Sequence, residues 1–477
     1  MERYNTLLTD LYQLTMINGY HKCGTANKTA VFDVFFRKGE EKNYAVVAGL
    51  DQAIDYILNL KFTAEDLDYL RSLKLFEEDF LQKLATFKFT GDIYAMPEGT
   101  IAFPGEPLVT VVAPIFEAQF IETCLLTIIN HQTLIATKAS RMVNCTKGAI
   151  AEFGLRRAQG ADAGLYGARA AMIGGCSSTS NVLCGKMFDV PVSGTHSHSW
   201  VMSFPDELTA FRQYAELYPN NCLLLVDTYD TINSGIPNAI TVFKEMKAKG
   251  LKPLGIRLDS GDLAYLSINA RKMLDEAGLP EVKIFASNDI DENILLSLKA
   301  QDAKIDVWGI GTKLITSYSN PTLGGVYKMA AIEQDGTLIP KMKISNTYEK
   351  ITNPGFKKVV RIFNKETGMA EADLIMLRDE VIDESQPLTI FHPIDTWKKM
   401  TFDNYYVKEL QTQIFKDGKL IYERPTVKQI MAFEKDNMAK LPEEYKRIYN
   451  PHIYKVDLSQ KLYDLKETML INSTKKQ

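Results

Sequence analysis

Apolar positions between residues 222 and 318 cluster into four short runs, each followed by a polar cluster and then by helical spacing. CLLLV (222–226) leads to Asp227-Thr228-Tyr229-Asp230, and LGIRL (254–258) leads to Asp259-Ser260-Gly261-Asp262. VKIFA (282–286) leads to Ser287-Asn288-Asp289, and IDVW (305–308) leads to Gly309-Ile310-Gly311-Thr312. Runs of this length are too short for helices, and their starts lie 32, 28 and 23 residues apart, enough chain for a crossover helix. The pattern therefore predicts parallel strands in βα units, with every polar cluster at a strand's C-terminal end. A barrel brings such ends together on one face; an open doubly wound sheet does so as well. The barrel is the preferred expectation.

The flanking regions are patterned differently. The aromatic and β-branched run TAVFDVFF (29–36) predicts a strand, and the Leu-rich, Pro-free segment 50–86 predicts helices. Residues 91–120 carry Gly91, Pro97, Gly99, Pro104, Gly105 and Pro107 between apolar pieces such as LVTVVAPIF, a small β-rich region. A Gly/Ala/Ser-rich band covers 148–200, where small side chains allow close backbone packing or leave room for a ligand. Residues 342–362 predict strands around a turn at Asn353-Pro354-Gly355. The expected organisation is a mixed α/β domain begun by 1–125, an α/β barrel over 126–340, and a C-terminal part, 341–477, packing back on the first.

Composition narrows the function. The 477 residues carry 55 Lys plus Arg against 59 Asp plus Glu, a formal charge of −4. That balance offers no general attraction to nucleic acid, although positive charge focused in a cleft can still attract a small anion. No apolar stretch approaches the roughly 20 residues of a membrane span, and Met1-Glu2-Arg3-Tyr4-Asn5 opens no signal-peptide core. The six cysteines are scattered without a CxxC pair, as expected of reduced thiols in a cytoplasmic protein.

Four motifs carry candidate chemistry. The Asp259 and Asp262 carboxylates can accept hydrogen bonds from ribose hydroxyls or hold Mg²⁺ that bridges phosphates; equally, an Asx turn capping the next helix needs those residues. Gly309-Ile310-Gly311-Thr312 fits a phosphate cradle or an ordinary tight βα turn. Glu152-Phe153-Gly154-Leu155-Arg156-Arg157 sets arginine forks beside a ring able to stack on a flat heterocycle, or begins a charged helix. His196 and His198 form an HxH pair that suits a histidine nucleophile, a structural histidine or zinc, with no third ligand singled out among His21, His131, His392 and His452. Neither a Walker A loop nor a Rossmann GxGxxG is present, so any use of ATP needs another kind of site.

These segments together resemble the nicotinate/nicotinamide phosphoribosyltransferase family. The resemblance rests on TDLYQLTM (9–16), EFGLRRAQGADAG (152–164), GTHSHSW (194–200), LVDTYDT, GIRLDSGDLA, ASNDIDE, GIGTKLITS and LGGVYK, in that order. It implies an irregular TIM-like α/β barrel with a second mixed α/β domain built from both chain ends, and a homodimer sharing its active sites. The implied substrates are nicotinate and phosphoribosyl pyrophosphate, with Mg²⁺ as cofactor and ATP as co-substrate, hydrolysed through a phosphohistidine in NAD salvage. On this resemblance His198 is the phosphoryl acceptor, Phe153 stacks on the pyridine beside Arg156, and Tyr12 closes the stack from the neighbouring subunit. Arg257 would contact the base carboxylate or the phosphoribosyl group, and Asp259 and Asp262 the ribose or Mg²⁺-bound pyrophosphate. Gly311 and Thr312 would cradle the 5′-phosphate, with Arg37 a phosphate contact given across the dimer. Ser180 falls where the nicotinamide-using relative keeps an aspartate, and its neutrality favours a carboxylate-bearing base. The alternatives are a nicotinamide-specific or quinolinate-specific transferase, a metal-dependent hydrolase using His196 and His198, or a non-catalytic scaffold.

Overall fold

The computed structural model describes residues 6–39, 43–347 and 350–474, so the opening Met1–Asn5 read above lies outside the described residues. The chain divides into two compact units.

One unit gathers the described residues of Met1–Leu134, Thr322–Pro425 and Ala432–Gln477. TAVFDVFF is the strand Thr29–Phe36, with an almost unbroken buried pattern. It lies antiparallel between Val109–Pro114 and Gly325–Gln334 in a seven-stranded sheet. Asp92–Ala95 pairs with Thr412–Lys416 in the same sheet, so early and late chain segments are neighbours. The segment 50–86 forms three helices, Leu50–Asn59, Ala64–Ser72 and Glu78–Ala85. The second starts at a capping box in which Thr63 and Asp66 satisfy each other's backbone N–H groups. Phe62, Phe87, Phe116 and Phe120 pack ring against ring under these helices. Of the strands expected around Asn353-Pro354-Gly355, the one after the turn is present as Lys357–Asn364. Residues 342–347 and 350–353 hold no strand.

The other unit spans Ile135–Pro321 with Thr426–Met431 and contains all four predicted βα units. Its strands are β1 (Ala149–Glu152), β2 (Ser178–Thr179), β3 (Leu223–Leu225), β4 (Gly255–Leu258), β5 (Lys283–Asn288) and β6 (Val307–Ile310). All pair in parallel, in the order β2-β1-β6-β5-β4-β3. Ile256, Ile284, Ala286 and Ile310 are fully buried, which explains why these strands read as continuous apolar runs rather than alternating ones.

The α/β class stands, but the expected closed barrel is not a continuous ladder. Among the described residues β2 and β3 do not pair. The segment 191–196 runs between them: Thr179 N donates to Pro191 O, and Ser193 N to Thr179 O, on the β2 side. On the β3 side the links are made by side chains. Thr195 Oγ1 donates to Leu223 O at 2.5 Å, and Leu225 N donates to His196 Nε2 at 3.3 Å. Among the described residues no helix is long and apolar enough to cross a membrane.

Candidate active site

Parallel register sets the site. Arg257 pairs with Phe285, and Ser287, two residues on, pairs with Gly309. Residues two apart along a strand share a face, so β4, β5 and β6 deliver Arg257, Ser287 and Gly309 side by side. Arg257 Nε donates to Ser287 Oγ at 2.7 Å, and Arg257 Nη2 donates to Asp259 Oδ1 at 2.5 Å. Ser287 Oγ donates to the same Asp259 oxygen. Burial alone would raise the Asp259 carboxyl, but Arg257 and Ser287 outweigh it and hold the group below its usual range.

Asp227, at the end of β3, holds this loop. Its Oδ2 accepts from Asp259 N at 2.9 Å and from Ser260 Oγ at 2.7 Å, while its buried Oδ1 has no partner among the described residues. Next to it, Thr228 Oγ1 lies 3.2 Å from His198 Nδ1, and His198 Nε2 faces Asp259 Oδ2 at 3.8 Å. His198 is thus placed against the carboxylate that Arg257 and Ser287 hold.

His196 has a different environment. It is buried, its Nε2 accepts from Leu225 N, and its ring meets Tyr214 edge-on at 4.6 Å. Burial pushes it down to about 4, so it is neutral at physiological pH. With that nitrogen bonded to backbone, His196 serves the fold. Among the described residues no group of three or more His, Cys, Asp or Glu side chains could hold a metal ion, which leaves the zinc hydrolase reading without a ligand set.

A cavity of about 310 Å³ opens at these strand ends. Phe153, Arg156, Arg157, Ser180, Arg257, Asp259, Ser287, Gly311 and Thr312 all line it. The Phe153 ring lies directly on Gly309: a Cβ there would sit 2.7 Å from the ring, so only glycine lets the ring settle against β6. The Arg257 guanidinium lies 5.8 Å from the same ring's centre.

Not every expected residue is brought here. Asp262 accepts from Tyr265 N at 3.0 Å as the N-cap of helix Leu263–Glu276 and is outside the cavity lining. Tyr12 and Arg37 belong to the other unit. Tyr12 is half-exposed and its hydroxyl donates to Glu122 Oε1 at 3.2 Å. Arg37 lines a separate cavity together with Lys38, Lys350 and Lys357. Asp227, Thr228, Ser287 and Glu152 were not singled out from sequence. The first three sit in the polar clusters after apolar runs, so the rule that found Asp259 points to them too.

The fold and the site define a class: a parallel α/β unit whose strand ends form a cavity lined by an aromatic ring, arginines and carboxylates. Models of the nicotinate phosphoribosyltransferase N-terminal domain, the nicotinate phosphoribosyltransferase family and its C-terminal domain match residues 7–130, 149–366 and 356–466. The nicotinate phosphoribosyltransferase of Bacillus subtilis is 51% identical over 457 residues, covering 95% of this chain and 93% of that one. The enzyme of Caenorhabditis elegans is 35% identical, covering 98% and 93%. The crystal structure of human nicotinic acid phosphoribosyltransferase superposes with a TM-score of 0.83 at 30% identity, covering 97% and 99%. The chain belongs to the nicotinate phosphoribosyltransferase family.

Proposed function

We propose that the chain transfers the phosphoribosyl group of phosphoribosyl pyrophosphate to the ring nitrogen of nicotinate, releasing pyrophosphate and nicotinate mononucleotide for NAD synthesis. The observation that carries this reading is the cavity in which Phe153, Arg156, Ser180 and the Arg257–Ser287–Asp259 cluster meet. Phe153 offers a stacking face for the pyridine. Three arginines and a neutral Ser180 favour a carboxylate on the base over a carboxamide. An acidic side chain at 180 would reverse that preference.

The chemistry asks little of a proton-transfer group. The pyridine nitrogen already has a lone pair, so orienting it against ribose C1 is the main requirement. As the C1–O bond breaks, positive charge grows on the ribose and negative charge on the departing oxygens. Asp259, held ionised, suits the former; Arg257 suits the latter. Gly311 and Thr312, at the end of β6, are proposed for the 5′-phosphate. Magnesium requires few protein ligands when phosphates supply the rest. The unpartnered Asp227 Oδ1 and the Asp259 carboxylate fit it; Asp262, whose Oδ1 caps a helix, lies outside the cavity lining. When bound, the ion would neutralise pyrophosphate charge.

The reading includes ATP hydrolysis through phosphorylation of His198, which makes the enzyme a ligase in class. Its support is the placement of the imidazole between Thr228 and Asp259. Tyr12 and Arg37 are proposed to complete the site of a partner copy in a homodimer.

The test is mononucleotide formation with phosphoribosyl pyrophosphate and Mg²⁺. Nicotinate, nicotinamide and quinolinate are compared, each with and without ATP. Product from nicotinate, increased by ATP in wild type but not in His198→Ala, is the expected result. Preference for nicotinamide, or product from none of the three, overturns it.

A further inference from the structure

Glu152 ends β1 and is completely buried. Its two carboxylate oxygens are divided between two strand ends. Oε1 accepts from Gly154 N, in the turn that carries Phe153, and Oε2 accepts from Thr179 Oγ1 at 2.6 Å, in β2. The main-chain oxygen of the same residue accepts from Ser180 N at 2.9 Å. The turn is built to meet it, because a Cβ at position 154 would lie 2.8 Å from Glu152 Oε1 and 2.5 Å from Ile315 Cβ. Thr179 Oγ1, having donated to Glu152, accepts from Asn181 N at 3.0 Å. Asn181 Oδ1 in turn caps the helix Val182–Phe188 through Cys184 N at 3.1 Å.

A buried carboxylate is an expensive way to hold a turn, since removing it from water opposes its charge. What it gains here is simultaneous control of two residues that line the cavity. Phe153 follows Glu152 directly, and Ser180 follows Thr179.

We propose that Glu152 is a positioning residue of the base subsite, setting the separation between the Phe153 ring and Ser180 and hence the affinity and selectivity for the heterocycle. It rests on the reading that nicotinate lies against Phe153. Burial raises the Glu152 carboxyl, while Thr179 and Gly154 pull it back. Replacing one oxygen by an amide therefore disturbs one arm whichever way it turns. An NH₂ facing Gly154 N opposes two donors; facing Thr179, it leaves the hydroxyl proton without its acceptor.

The experiment measures KM for nicotinate and for phosphoribosyl pyrophosphate, kcat, and the ratio of nicotinate to nicotinamide kcat/KM. Wild type is compared with Glu152→Gln, Thr179→Val and Thr179→Ser. Expected is a rise of about tenfold in the KM for nicotinate with a narrowed base ratio in Glu152→Gln. The KM for phosphoribosyl pyrophosphate stays within about twofold. Thr179→Val moves the same parameters in the same direction, and Thr179→Ser restores them. Equal rises in both KM values, or a lower melting temperature with the base ratio unchanged, overturn the proposal. Should Glu152→Gln not fold, the Thr179 pair decides by the same criteria. If wild type makes no mononucleotide from nicotinate, the functional reading falls, and this inference falls with it. If wild type is active and the base ratio is unmoved in the variants, only the inference falls.

Discussion

Replacing Ser287 by alanine removes one hydroxyl that donates to Asp259 and accepts from Arg257. Ser287 is only 5% exposed, so water does not readily take its place. Hydrogen bonds to charged groups contribute about 1.5–3 kcal/mol. If Asp259 and Arg257 act on the charge that separates as pyrophosphate leaves, that loss appears as a fall in kcat/KM for phosphoribosyl pyrophosphate of roughly tenfold to a hundredfold. The acid limb of the profile moves as well. Ser287 is one of the groups holding the Asp259 carboxyl below its usual range, so its removal raises that group and shifts the acid limb to higher pH. Steady-state kinetics at saturating nicotinate, extended below pH 4 to reach a carboxyl held under its usual range, read both effects. A kcat/KM within about twofold of wild type, with the acid limb unmoved in a folded Ser287→Ala variant, refutes the role given to the cluster.

Three other outcomes follow from the structure. Ser180→Asp sets a carboxylate beside the proposed base and lowers nicotinate kcat/KM relative to nicotinamide by at least about tenfold; competition assays check the ratio. Asp373→Asn breaks a buried pair in which Arg361 donates at 2.8 and 2.6 Å, beside Glu106, whose carboxyl burial and Asp373 push well above its usual range. It costs about 3–5 kcal/mol in urea unfolding, and a loss under about 1 kcal/mol contradicts the account. His196, pushed down to about 4 by burial against about 6.5 when unfolded, binds its proton more readily in the unfolded chain. Its contribution is present above pH 6.5 and is lost as pH falls toward 4, on the order of 3 kcal/mol in all. A urea midpoint no less acid-sensitive in His196→Gln than in wild type counts against it.

The strand ends were legible because two signals coincide there. A buried parallel strand needs a continuous apolar run, and its C-terminal loop carries the polar groups, so Asp259 and Thr312 could be placed from spacing, whereas Arg257, inside its run, was reached only through the family resemblance. Residues 149–152 gave no such signal: AIAE is four residues long, lies in a small-residue band and ends in a carboxylate. The link between β2 and β3 was hidden for another reason. It contains Pro191 and uses the Thr195 hydroxyl and the His196 ring where a ladder would use backbone, so no strand pattern marks it. Within DSGD the sequence treats the two aspartates alike. Only the register that sets Ser287 beside Arg257 distinguishes Asp259 from the helix cap Asp262.

The seven-stranded sheet has a consequence for synthesis on the ribosome. Thr29–Phe36 is made early, yet one of its two neighbours, Gly325–Gln334, emerges about 290 residues later. At roughly 5–20 residues per second this strand waits about 15–60 s with one edge open. Its unpaired N–H and C=O groups, on a run of Val and Phe, are then free to pair with a neighbouring nascent chain. In residues 135–321 the longest wait is about half as long, since Ala149–Glu152 must wait about 155 residues for Val307–Ile310, and this sheet is complete before the C-terminal third is made. Slow release of the C-terminal third would therefore put the antiparallel sheet at risk of aggregation and spare the unit that contains the cavity.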